Sequence, residues 1–180
     1  MKRDINSNGY IFIYSTILVV VVALLLTTAA LWLQPYQQRN KENEKRMMIL
    51  SAAGAAEDGK IVFIEGDMPA YIVNDSITVF PMEGNGLWGP IWGYLAIAPD
   101  GKTVIGARFD HKSETPGLGG EITSEKFQSQ FSGKPFWNNG QMVPIEIDAI
   151  SGATKTSNGV KEMIDKTMSM YSQSSYYIQP

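Results

Sequence analysis

Apolar residues run without a charge, proline or glycine through residues 10–33, and the pattern then breaks at Pro35 into a charged stretch. As a helix this run is roughly 36 Å long, enough to cross the hydrocarbon core of a bilayer. It exceeds the ~7–15-residue apolar region of a secretory signal, so it reads as an uncleaved single-pass anchor. Tyr10, Trp32 and Tyr36 fall at its two interfaces. Residues 37–53 follow as a polar helix, solvated first and apolar over 47–50, that ends at Gly54 as a juxtamembrane stalk. Beyond it the pattern is short and strand-like. Ile61–Ile64 and residues 71–73, 77–80, 93–98 and 103–109 predict strands, the last two joined as a hairpin by Pro99-Asp100-Gly101-Lys102. A short helix capped by Thr123 or Ser124 places Phe127 and Phe131 on one face and stops at Gly133. Residues 145–148 predict a last strand. Val160, Met163, Ile164, Thr167, Met168 and Tyr171 recur at helical spacing, predicting a final helix from near Asn158, with Ser157 or Asn158 as its cap. The fold class is α+β: one N-terminal transmembrane helix, then a compact domain with a mainly antiparallel sheet and flanking helices.

The chain has 180 residues and a net charge of −3. That fits one soluble domain plus an anchor, and the absence of a basic cluster argues against nucleic acid as a partner. There is no cysteine. A disulfide framework, a thiolate nucleophile and cysteine-ligated metal or iron–sulfur sites are therefore excluded. No glycine-rich dinucleotide fingerprint follows a strand, so this chain is not expected to bind NADH itself.

The most specific chemistry lies in Asp148-Ala149-Ile150-Ser151-Gly152-Ala153-Thr154, followed by Lys155-Thr156-Ser157. Small residues crowded before a helix let backbone approach a bulky phosphate and leave amides and hydroxyls free to bind it. An ordinary loop followed by a capped helix would use the same residue types. The full pattern resembles the flavinylation motif of the FMN-binding domain family, in which a terminal Thr or Ser receives FMN through a phosphoester bond. The resemblance implies that Thr154 is the acceptor, with Thr156 and Ser157 as rival hydroxyls, and that Ser151, Gly152 and Ala153 line the phosphate. Asp148 would either orient the loop or help a flavin transferase position its metal.

Two further segments resemble the C subunits of sodium-translocating NADH:quinone reductases. Glu114-Thr115-Pro116-Gly117-Leu118-Gly119-Gly120 matches a loop that in this family wraps the flavin ring. Its glycines and proline suit close backbone approach to a flat ring, Leu118 can pack on the ring face, and Thr115 can hydrogen-bond its edge. A plain glycine loop is the alternative. Residues 84–93 match another segment, in which Trp88 and Trp92 are either core residues or flavin neighbours. Lys134 is a further candidate for the phosphate or the ring edge. The resemblance spans the anchor, the stalk and residues 84–160, whereas residues 55–80 form a shorter middle than the family's.

What the resemblance implies is an electron-transfer subunit with covalent FMN, and with other reductase subunits, a flavin transferase during maturation and membrane lipid as partners. Residues 1–9 would be a cytoplasmic N-terminus, 10–33 the span, 34–54 the stalk and 55–180 the FMN-binding domain. The family orientation puts the domain on the periplasmic side of the inner membrane. Charge leans the other way, with Lys2 and Arg3 before the span against Arg39, Lys41, Lys45 and Arg46 after it. Three other readings have sequence support: the related subunit of ferredoxin:NAD oxidoreductases, a tethered hydrolase built on His111, Ser113 and Asp110 or Glu114, and a non-catalytic scaffold.

Overall fold

The computed structural model describes residues 7–66, 68–138 and 141–173. Lys2 and Arg3, with most of the expected cytoplasmic N-terminus, lie outside them. The chain divides into two compact units, residues 1–44 and 45–180.

The first unit is helical. α1 (Asn8–Ala52) includes the apolar run and continues through Pro35, and its last residues, 45–52, belong to the second unit. Span and stalk, expected as separate elements, are therefore one helix. Proline removes one backbone donor but leaves the helix free to resume, and residues 37–48 are rich in Gln, Lys, Arg, Glu and Met, all good helix formers. The apolar run is long enough to span a membrane and none of it is buried by protein. Thr16, Thr27 and Thr28 each return their hydroxyl to the carbonyl four residues earlier, which satisfies them without water.

The second unit is built on an antiparallel meander, β1 (Ile61–Ile64), β2 (Ala70–Val73), β3 (Ile77–Asn85), β4 (Pro90–Ile97) and β5 (Val104–His111), paired in sequence order. Alternation along these strands feeds two cores. Paired Val79 and Ala96 face the end of α1, packing with Ile49, Leu50, Ala52 and Ala53. Their neighbours Phe80 and Leu95, also paired, face the other way, toward α3 (Thr154–Ser172) and the phenylalanines of the β5–α3 connection. The sheet is thus covered on both faces. Ile97 pairs with Val104 and Ala96 with Gly106, so Ile105 is the extra residue of a bulge.

Ser124 caps α2 (Glu125–Gln128) by accepting from the Phe127 amide, and a 3-10 turn continues it to Phe131. Phe109, Phe127 and Phe131 stack edge to face with centroids 5.1–6.1 Å apart. Gly54 and Gly133 both adopt the left-handed conformation where helices were expected to stop. A 3-10 turn at Gly119–Thr123 and a two-residue hairpin, β6 (Trp137–Asn138) with β7 (Gln141–Met142), complete the unit.

Two further expectations are corrected. Residues 145–148 form no strand. Ile145 and Ile147 do turn inward, but the backbone bonds to side chains instead: the Asp148 amide donates to Gln130 Oε1 (2.7 Å), and Lys134 Nζ donates to the Glu146 carbonyl. α3 also begins at Thr154, not near Asn158. Its first turn is locked by tertiary hydrogen bonds that outweigh the weak helix propensity of Thr and Ser.

Candidate functional site

Three segments meet at the N-terminal end of α3. The first is the β3–β4 turn. The Gly86 amide donates to the Gly89 carbonyl (2.8 Å), leaving Leu87 and Trp88 at the tip, with Trp88 66% exposed. Trp88 is not a core residue. The second is the loop after β5. Its Ser113 hydroxyl donates to the Trp88 carbonyl (3.0 Å), and the amides of Leu118 and Gly120 donate to the Thr115 carbonyl. Gly117 adopts a left-handed φ of 74° at the loop's apex, and Leu118 is 43% exposed. The third is the Asp148–Ser157 segment. Gly152, also left-handed, turns it into α3, and the place of its missing Cβ abuts Leu118 Cδ2.

Glu114 joins the three. It is 4% exposed, and each carboxylate oxygen accepts one hydrogen bond: Oε1 from the Trp88 amide (2.7 Å), Oε2 from the Thr156 hydroxyl (2.6 Å). Although it belongs to the loop expected to wrap a flavin, its head points inward.

The rival hydroxyls are thereby separated. Thr156 and Ser157 are each 1% exposed. Ser157 Oγ donates to the Ala153 carbonyl (3.1 Å) and accepts from the Ile150 amide (3.0 Å). Thr154 is exposed, and its hydroxyl has no hydrogen bond among the described residues. Ala153, buried, is the N-cap and offers no side-chain cap, and the amides of Thr154, Lys155 and Thr156 meet no acceptor among the described residues. An exposed hydroxyl beside three open helix-start amides is suited to a phosphate ester. Ser151 and Gly152 are exposed in the same turn.

An open cleft of about 530 Å³ lies against the preceding segment, lined by Gly117, Gln130, Asp148, Ala149, Ile150 and Ser151 among others. Asp148 is exposed there; its backbone is held by Gln130, and its carboxylate accepts no hydrogen bond among the described residues. Lys134 donates from its Nζ to the Glu146 carbonyl. Gln130, not expected as a site residue, holds the backbone at Asp148; nothing local in the sequence marks it. Thr115 contributes its carbonyl to the loop and leaves its side chain exposed.

No hydrolytic triad forms. His111 Nδ1 accepts from the Glu114 amide (3.2 Å), Asp110 Oδ1 accepts from the His111 amide, and the Ser113 hydroxyl is spent on Trp88.

Comparison with known proteins bears on this arrangement directly. Residues 86–169 match the FMN-binding domain family. The crystal structure of the C subunit of the Na(+)-translocating NADH-quinone reductase from Parabacteroides distasonis ATCC 8503 matches with TM-score 0.63 and 30% identity, over 77% of this chain and 94% of that one. The chain belongs to the C-subunit family of Na(+)-translocating NADH-quinone reductases. The family's FMN-binding region, residues 86–169, therefore contains all three segments of the site. Curated relatives of the same name agree: the Pasteurella multocida protein is 44% identical over 46% of this chain and 36% of its own length. That of Vibrio vulnificus is 35% identical over 61% of this chain and 49% of its own. The chain thus spans less than half the length of either. Shewanella oneidensis NqrC shares the fold, with TM-score 0.62 over 75% of this chain at 22% identity.

The site fits an FMN. Thr154 and the open amides match its phosphate, and the exposed faces of Trp88 and Leu118 match a flat apolar ring.

Proposed function

We propose that this chain is the FMN-bearing electron-transfer subunit of a sodium-translocating NADH:quinone reductase, with FMN joined to Thr154 through a phosphoester. The observation that carries the attachment point is the contrast within one helical turn. Thr154 is open to solvent, while Thr156 and Ser157 are buried and hydrogen-bonded. A flavin transferase would form the bond from FAD: the Thr154 oxygen bonds to the flavin-side phosphorus, the pyrophosphate bridge breaks, AMP leaves and the hydroxyl proton is lost.

In this reading the bound FMN supplies one- and two-electron transfer. The residues of the chain do the rest. The α3 amides take the phosphate, Trp88 and Leu118 pack on the ring, and the glycines at 117 and 152 keep the approach open. α1 anchors the chain in the inner membrane, with the domain on the periplasmic side among the other subunits.

Mass spectrometry of the chain made together with the transferase tests this reading. The intact mass should rise by FMN less one water, with the addition on the peptide containing Thr154. An unmodified chain under those conditions, or the addition on another peptide, overturns it.

A further inference from the structure

Glu114 is unusual in the second unit. It is a carboxylate withdrawn from water, yet no cation pairs with it among the described residues. Such a group is costly to bury unless its lone pairs are met. Each oxygen receives one donor, from different parts of the chain, one 26 residues before it and one 42 residues after it. The space for it is also specific. A Cβ on Gly86 would press on Oε1, and a Cβ on Gly119 would press on Oε2 and on the Thr156 hydroxyl. The side chain's own root is fixed, because the Glu114 amide donates to His111 Nδ1 and neighbouring Ser113 holds the Trp88 carbonyl. Trp88 is consequently gripped at both its amide and its carbonyl while its ring stays exposed.

We infer that Glu114 is a positioning residue for the flavin: its carboxylate fixes the Trp88 turn to the first turn of α3, two residues from the attachment point, and so sets how the Trp88 ring meets the flavin. This inference rests on the proposed FMN site. The role assigned to Glu114 is indirect: each of its oxygens accepts a hydrogen bond from within the chain, and it is 4% exposed. A glutamine in its place keeps one acceptor oxygen and so retains part of the link; an alanine keeps none.

The test uses the full chain as wild type, Glu114→Gln, Glu114→Ala and Thr156→Val, each made with and without the transferase. In the flavin-free chains, exchange of the Trp88 amide should speed up by about fivefold or more in Glu114→Ala, and less in Glu114→Gln. In the loaded chains, Glu114→Ala should still carry covalent flavin, but with altered flavin fluorescence and reduction potential, which Glu114→Gln partly restores. In Glu114→Ala, unchanged flavin fluorescence and potential, or unchanged Trp88 exchange, would overturn the inference. If Glu114→Ala fails to fold, Glu114→Gln and Thr156→Val decide it by the same readouts: altered flavin signals support it, and unchanged ones overturn it. A wild-type chain that takes no flavin defeats the proposed function instead, and unaltered Trp88 exchange in the flavin-free variants separately defeats the link through Glu114.

Discussion

Thr154 and Thr156 stand two residues apart on the first turn of α3 and have opposite surroundings: one hydroxyl faces solvent, the other donates to a buried carboxylate at 2.6 Å. Their substitutions should separate accordingly. Thr154→Ala should abolish covalent flavin and leave stability within about 0.5 kcal/mol, as for an exposed site. Thr156→Val should still load flavin but lose about 1–3 kcal/mol, because one Glu114 oxygen is left buried without its donor. Intact mass and chemical denaturation of the two variants check both outcomes. Flavin retained on Thr154→Ala would move the acceptor elsewhere.

Leu118 and Gly119 are adjacent but should behave differently. Leu118→Ala trims a half-exposed side chain, so it should shift the flavin spectrum or potential while the phosphoester and the melting temperature hold. Gly119→Val places carbon where Glu114 Oε2 and the Thr156 hydroxyl already lie. It should cost about 1–3 kcal/mol through overpacking, before any effect on flavin. Thermal melts of flavin-free chains distinguish the two.

Asp148 is held by its backbone while its carboxylate faces the cleft. Asp148→Asn should therefore lower flavin loading by the transferase without a comparable loss of stability. Gln130→Ala should do the reverse first, loosening the segment by about 0.5–1.5 kcal/mol as its bonds to Asp148 are lost. Loading rates beside denaturation midpoints resolve the pair; normal loading of Asp148→Asn would leave its carboxylate without a part in maturation.

Tyr94 lies beneath the end of α1, and its hydroxyl is pushed up to about 12, first by burial and then by nearby Tyr71 and Glu83. An unfolded tyrosine ionises near 10. Above about pH 10 the unfolded chain therefore releases a proton that the folded chain retains, so this contribution is complete below pH 10 and is lost as pH climbs toward 12. Tyr94→Phe should flatten the alkaline fall in stability. Melting temperatures of both chains across that window provide the check, and parallel curves would show that Tyr94 does not contribute.

Local rules made much of the second unit readable. Ile61–Ile64 appears with its expected ends, Ser124 caps its helix, the turn at Pro99–Lys102 joins β4 to β5, and Gly54 and Gly133 sit where helices stop. What stayed hidden depends on contacts distant in sequence. The 145–148 segment has a strand's alternation, but Gln130 and Lys134 take its backbone partners. The start of α3 moved four residues because Glu114 and Ile150 engage Thr156 and Ser157. Trp88 could be core or site by composition; only the tight Gly86–Gly89 turn puts its ring outside. The hydroxyl-rich 151–157 segment was legible as a motif, but the burial that separates exposed Thr154 from Thr156 and Ser157 was not.

Orientation is where charge and family disagree. The basic residues after the apolar run, Arg39, Lys41, Lys45 and Arg46, outnumber Lys2 and Arg3 before it, and short flanking segments rich in Lys and Arg favour the cytoplasmic side. Large domains, however, translocate largely regardless of charge. The expected topology keeps the N-terminus inside and the second unit in the periplasm. Protease added to intact spheroplasts should then digest the domain while a fragment containing residues 10–33 survives in the membrane. Protection in spheroplasts, with digestion only in inverted vesicles, would show that the positive flank sets the orientation and that the domain faces the cytoplasm.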